Sequence, residues 1–104
     1  MHPAMSDDFQ QQRRFARMRS PSRRDHLLAE IDALALELDE AAAATASGTV
    51  PIAARADYLR AREAHHRAAI AWMAATSAED LAPASDELRR CRMALEASRA
   101  LMRG

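Results

Sequence analysis

The sequence predicts an all-α protein built from a long antiparallel helical hairpin and a third helix, and three observations predict it. The 104 residues include 26 alanines but only 2 glycines and 4 prolines, and the abundant Ala, Leu, Glu and Arg all favour helix. Apolar residues recur at alternating spacings of four and three, the heptad repeat of packed helices. The segment "ASGTVP" (46–51) that joins the first two apolar runs is short, so these helices should be antiparallel neighbours.

The first helix is expected over about 23–46. Ser22 followed three residues later by Asp25 is similar to the capping pair that begins many helices. Gly48 suits the left-handed position just past the helix end. The residues expected to face the core are Leu27, Ile31, Leu34, Leu38 and Ala41.

The second helix is expected over about 51–76, with Thr49 as its cap, and it carries two apolar lines. The heptad pattern assigns the first line to the seam between the hairpin helices: Ile52, Ala56, Leu59, Glu63, His66, Ile70 and Met73. The second line needs a further surface to cover it and runs through Tyr58, Ala61, His65, Ala68 and Trp72. Folding the chain about residue 49 should also bring Glu37 close to Arg62, as a pair that selects the register.

A third helix, expected over about 85–102 with Ser85 as its cap, can supply that further surface. Its inward-facing residues are expected to be Leu88, Cys91, Ala94, Leu95, Ser98, Leu101 and Met102. Residues 22–104 would then form a single helical domain, a three-helix bundle. A core made largely of alanine is thin, so we expect the protein to self-associate or to pair with another protein.

The net charge of zero conceals a segregation of charge along the chain. Residues 9–24 carry six arginines and no acid, whereas residues 25–54 carry six acids and no arginine. We therefore expect residues 1–21 to form a basic arm that binds nucleic-acid phosphates or a protein partner, or that folds back on the acidic helix. The residues expected to make these contacts are Arg13, Arg14, Phe15, Arg17, Arg19, Arg23 and Arg24.

The stretch "REAHHRAAIAW" (62–72) holds the one candidate metal pair, Glu63 and His66. Residues three apart share a helix face, and this Glu-x-x-His spacing resembles that of ferritin-like di-iron proteins. The resemblance implies iron or zinc held between two copies of the chain. The pattern is also short, and a polar layer that fixes register or oligomeric state is the interpretation that the sequence favours.

The sequence contains one cysteine, Cys91, and no apolar run of signal-peptide or membrane-spanning length. The expected location is therefore the cytoplasm of a bacterium, without membrane association. No catalytic residue is predicted. The leading hypothesis is a non-catalytic helical interaction module, a small subunit or adaptor of a larger assembly. The alternatives are a nucleic-acid-associated helical subunit that uses Arg13–Arg24 and a dimeric di-metal carboxylate protein that uses Glu63 and His66.

Overall fold

A computed structural model describes residues 22–104, and within them the chain forms three helices and no strand. Helix α1 spans Arg23–Thr45, α2 spans Ile52–Ala74 and α3 spans Ala82–Arg103, with a short 3-10 turn at Glu79–Leu81 before α3. The prediction of an all-α three-helix bundle is confirmed. None of these helices is both long and apolar enough to cross a lipid bilayer.

Helix α1 begins at the expected capping pair. The Ser22 hydroxyl accepts a hydrogen bond from the Asp25 N–H, and the Asp25 carboxylate accepts one from the Ser22 N–H. The five residues expected to face the core are all buried. The prediction for Gly48 was wrong, because no glycine among the described residues has a positive φ. At the helix end the Thr45 hydroxyl instead donates to the Ala41 carbonyl at 2.8 Å.

Arginine side chains tie both ends of the α1–α2 hairpin and show that it is antiparallel. At one end Arg55, in the first turn of α2, donates to the Thr45 and Ser47 carbonyls at the end of α1. At the other end Arg24, in the first turn of α1, donates to the Trp72 and Ala75 carbonyls at the end of α2. Unpaired carbonyls at both C-termini are thus satisfied by the neighbouring helix. Thr49 does not cap α2, since the capping position is Pro51.

Helix α3 begins three residues earlier than the sequence predicted. The 3-10 turn runs directly into the helix, and Pro83 lies in the first turn, where a missing N–H costs nothing. Ser85 is therefore inside the helix and is not its cap. The hydrogen bonds that organise this entry belong to Asp80, whose carboxylate accepts from the N–H and the hydroxyl of Thr76, and these bonds lower the pKa of Asp80.

The core is formed by all three helices, and its most completely buried part lies between the alanine-rich face of α2 and the apolar face of α3. Four alanines of α2 are almost completely inaccessible to solvent, and three of them, all except Ala54, belong to the same buried cluster as the large α3 side chains Leu88 and Leu95. The Ser98 hydroxyl of α3 donates to the Ala54 carbonyl of α2 at 2.7 Å, so the two backbones approach closely. The four alanines are Ala54, Ala61, Ala64 and Ala68. Of the other inward-facing residues expected in α3, Leu101 is exposed and Met102 is half-buried.

The predicted ion pair between Glu37 and Arg62 was wrong. Glu37 instead forms an ion pair with Arg99 of α3 at 2.8 Å, and Glu30 forms one with Arg92. Both pairs join residues that are 62 positions apart, which is the pattern of two parallel helices in register. The acidic side of α1 is therefore matched by α3. Arg62 lines a shallow groove between α1 and α2.

Candidate interaction surface

The seam that the sequence assigned to the hairpin lies on the outer side of the bundle, and that prediction was wrong. We call the line of seven residues from Ile52 to Met73 the outer stripe of α2. Its large apolar side chains are exposed to solvent: 85% for Ile52, 53% for Leu59, 49% for Ile70 and 66% for Met73. The complete outer stripe is Ile52, Ala56, Leu59, Glu63, His66, Ile70 and Met73.

The second apolar line of α2 is the one that packs against the rest of the bundle. Tyr58, Ala61 and Ala68 on this line are buried, and Trp72 and His65 are half-buried. Because the alanine side chains of α2 are small, the backbone of α3 can approach closely. The larger α3 side chains then make many van der Waals contacts with α2. The heptad pattern gave more weight to Ile, Leu and Met than to alanine. It therefore assigned the wrong side of α2 to the hairpin seam, although the second line was also expected to be covered, and Ala61 and Ala68 on that line are buried.

Glu63 and His66 share the outer stripe, one helical turn apart, and both are exposed. Glu63 forms an ion pair with Arg67 at 2.6 Å, and Arg67 also reaches Glu87 of α3 at 3.3 Å. These carboxylates raise the pKa of Arg67, and the largest cause is the hydrogen bond that Arg67 donates to the Glu63 carboxylate. The middle of the outer stripe is thus polar, with apolar residues on both sides of it.

The two adjacent histidines have different roles, because neighbouring helix residues point about 100° apart. The His65 ring faces α1, where its Nε2 atom lies 2.8 Å from the Ile31 carbonyl oxygen. His66 faces solvent. Within residues 22–104 no three His, Cys, Asp or Glu side chains lie close enough together to hold a metal ion. Glu63 and His66 of one chain therefore have no third ligand among the described residues.

Most of the predicted basic arm lies outside the described residues, namely Arg13, Arg14, Phe15, Arg17 and Arg19. Of the two remaining arginines, Arg23 is exposed in the first turn of α1. Arg24 is engaged within the bundle, with its guanidinium 3.9 Å from the centre of the Trp72 ring. The Trp72 Nε1–H donates in turn to the Arg24 carbonyl at 2.9 Å.

Two structural roles of arginine were not predicted from the sequence: the ion pairs between α3 and α1, and the capping of the end of α2 by Arg24. The first of them left a recognisable signal. Glu30 and Glu37 are seven apart in α1, and their partners Arg92 and Arg99 are seven apart in α3. This matched heptad spacing could have identified the parallel pairing. The capping role of Arg24 left no such signal, because it depends on where the end of α2 lies in space.

Comparison of the chain with models of known protein families, with curated proteins and with solved structures finds no match in any of the three.

Proposed function

We propose that this protein is a non-catalytic helical interaction module, a small subunit or adaptor that docks through the outer stripe of α2 and through its arginine-rich arm. The observation that carries this proposal is the exposure of Ile52, Leu59, Ile70 and Met73 along one side of one helix. Burial of large side chains of this kind is the main favourable contribution to protein association.

The distribution of exposed side chains supports the outer stripe over the rest of the bundle. Helix α1 exposes Leu28 and Leu36, and α3 exposes Met93 and Leu101. Helices α1 and α3 thus expose two large apolar side chains each, whereas the outer stripe exposes four, at heptad positions along the length of α2. Exposed apolar residues that share one helix face indicate an interaction site, whereas scattered exposed apolar residues are ordinary.

Site-specific photo-crosslinking tests the proposal in the cell that makes the protein. A photoreactive amino acid at position 59 should give a discrete adduct of higher mass, because this position lies in the middle of the proposed interface. The same amino acid at position 36, which is 66% exposed on α1, is the matched control and should give none. Equal crosslinking at both positions, or none at position 59, would refute docking through the outer stripe.

Phosphate binding by the arm is tested separately with the full chain. Four arginines of the arm (Arg13, Arg14, Arg17 and Arg19) are replaced by glutamine, which removes the charge and keeps a polar side chain. If the protein is a nucleic-acid-associated subunit, it should bind DNA or RNA at low salt, and the substitutions should abolish that binding. No binding by the native chain would exclude this alternative function.

A further inference from the structure

We infer that the outer stripe of α2 pairs with the outer stripe of a second copy of this chain, with the two α2 helices antiparallel and Glu63 of each copy facing His66 of the other. This inference rests on the proposed function, since it names the partner that the docking surface takes. The partner is identified by the order of side chains along the outer stripe.

The outer stripe has the spacing of a coiled-coil interface. Its seven positions alternate four and three residues apart, so they remain on one side of α2 along its 23 residues. The opposite side of α2 is filled by α1 and α3, which leaves the outer stripe as the side of this helix that is open to another chain. A helix presented in this way can accept one further helix along its whole length.

Six of the seven side chains along the outer stripe, all except Ile52, are complementary to the same side chains read in reverse. When two copies of α2 cross antiparallel at a point between residues 64 and 65, Leu59 lies opposite Ile70 of the other copy and Ala56 lies opposite Met73. In the middle, Glu63 lies opposite His66. With their symmetry mates these three facing pairs make six layers. In four layers both residues are apolar, and in the two middle layers an acidic residue faces a basic one.

A parallel pair of α2 helices lacks this complementarity. It would place Glu63 against Glu63 and His66 against His66, and the acidic layer would be repulsive. The antiparallel pair also has twofold symmetry, which closes the assembly at two chains. The polar layers in the middle select this register, because a shift by one heptad places Leu59 opposite Glu63.

Two of the arginines beside the outer stripe are compatible with the pairing because they carry acidic partners from their own chain. Arg60 and Arg67 of opposite copies would approach each other in the antiparallel arrangement. Arg60 is bound by Asp57, and Arg67 is bound by Glu63 and Glu87. Their positive charge is thereby offset before the copies meet.

Sedimentation equilibrium of the full chain tests the inference. The native protein should have twice the 11.5 kDa mass of one chain. The double variant Leu59→Arg with Ile70→Arg should be a folded monomer, with unchanged helical circular dichroism. The matched control, Leu36→Arg with Met93→Arg, adds the same charges at positions that are 66% and 67% exposed on α1 and α3, and it should remain dimeric.

A second pair of variants tests the antiparallel register. His66→Glu alone places acid against acid in both polar layers and should weaken the dimer at least tenfold. Adding Glu63→His exchanges the two residues, restores an acid opposite a base and should recover most of the native affinity. A partner other than a second copy would not respond to this exchange in the same way.

The outcomes separate this inference from the proposed function. A monomeric native chain, or a dimer that survives the two arginines on the outer stripe, overturns the self-pairing. If position 59 then still crosslinks to a different protein in the cell, the docking function stands and only the identity of the partner was wrong. Failure of the exchange variant to recover affinity overturns the antiparallel register.

Discussion

Arginine has a structural role at both ends of the hairpin. Arg24 and Arg55 each reach from the first turn of one helix to the last carbonyls of the other, and Arg24 also lies over the Trp72 ring. A guanidinium can do this because its donors spread in a plane while its face stacks on an aromatic ring. Arg24 was expected to belong to a basic binding arm, and its contacts tie it to the end of α2.

Replacing Arg24 with alanine should destabilise the fold by about 1–2 kcal/mol, because a charged donor is lost from two helix-end carbonyls and from the Trp72 ring. The free energy of unfolding from urea titration measures this effect. Arg23→Ala, at the adjacent exposed position, is the control and should change it by less than about 0.5 kcal/mol. Equal effects of the two substitutions would contradict the capping role.

Burial of Cys91 gives the stability a dependence on pH. Desolvation raises the pKa of its thiol above the ordinary value of 9.0. Above pH 9.0 the thiol of the unfolded chain therefore releases a proton that the folded chain retains. The contribution of Cys91 to the free energy of unfolding is thus present at lower pH and is lost as pH rises through the folded-state pKa. Cys91→Ala should reduce the fall in unfolding free energy between about pH 8 and 10. An unchanged slope in urea titrations would contradict this.

At the scale of the helices, α2 shows why its packing face was difficult to predict. The pattern of large apolar residues indicated one side of the helix, and four alanines form the side that is buried. Hydrophobic periodicity measures how apolar each side is. It does not measure how closely a neighbouring helix can approach, which is what the alanines determine. The face of α1 was predicted correctly because the residues that it buries are mainly large and apolar.

Enlarging a buried alanine should therefore disrupt the bundle. Ala61→Leu inserts a large side chain where the exposed fraction is 0% and should cost about 1–3 kcal/mol or more, since the α2 and α3 backbones must separate. Ala53→Leu makes the same change at an exposed position of the same helix and should be nearly neutral. Thermal and urea unfolding of both variants provide the comparison. A tolerated leucine at position 61 would refute close packing on the alanine face.

The pairing of α1 with α3 is expected to depend only modestly on charge. The Glu37 and Arg99 side chains are 41% and 36% exposed, so their coupling in a double-mutant cycle with Glu37→Gln and Arg99→Gln should be about 0.2–1 kcal/mol and should decrease in high salt. A coupling energy of zero at low salt would show that this ion pair does not contribute to the parallel register.

For the whole molecule, the sequence predicted the class of the fold and the number of helices. It could do so because helix propensity and short connections are local properties. It did not predict which side of α2 is free, and that depends on the spatial arrangement of all three helices. The candidate metal pair, Glu63 and His66, was placed on one face correctly, but that face points out of the bundle.

In the proposed dimer the free side of α2 meets the same side of a second copy in the antiparallel direction. A spin label on the variant Ala53→Cys tests this directly, since position 53 is exposed beside the outer stripe and Cys91 has no exposed surface to label. Antiparallel helices that cross between residues 64 and 65 place the two labels about 35 Å apart, given a rise of about 1.5 Å per residue and helix axes about 9 Å apart. Pulsed electron paramagnetic resonance should show that distance. A separation near 10 Å, or no coupling between chains, would contradict it.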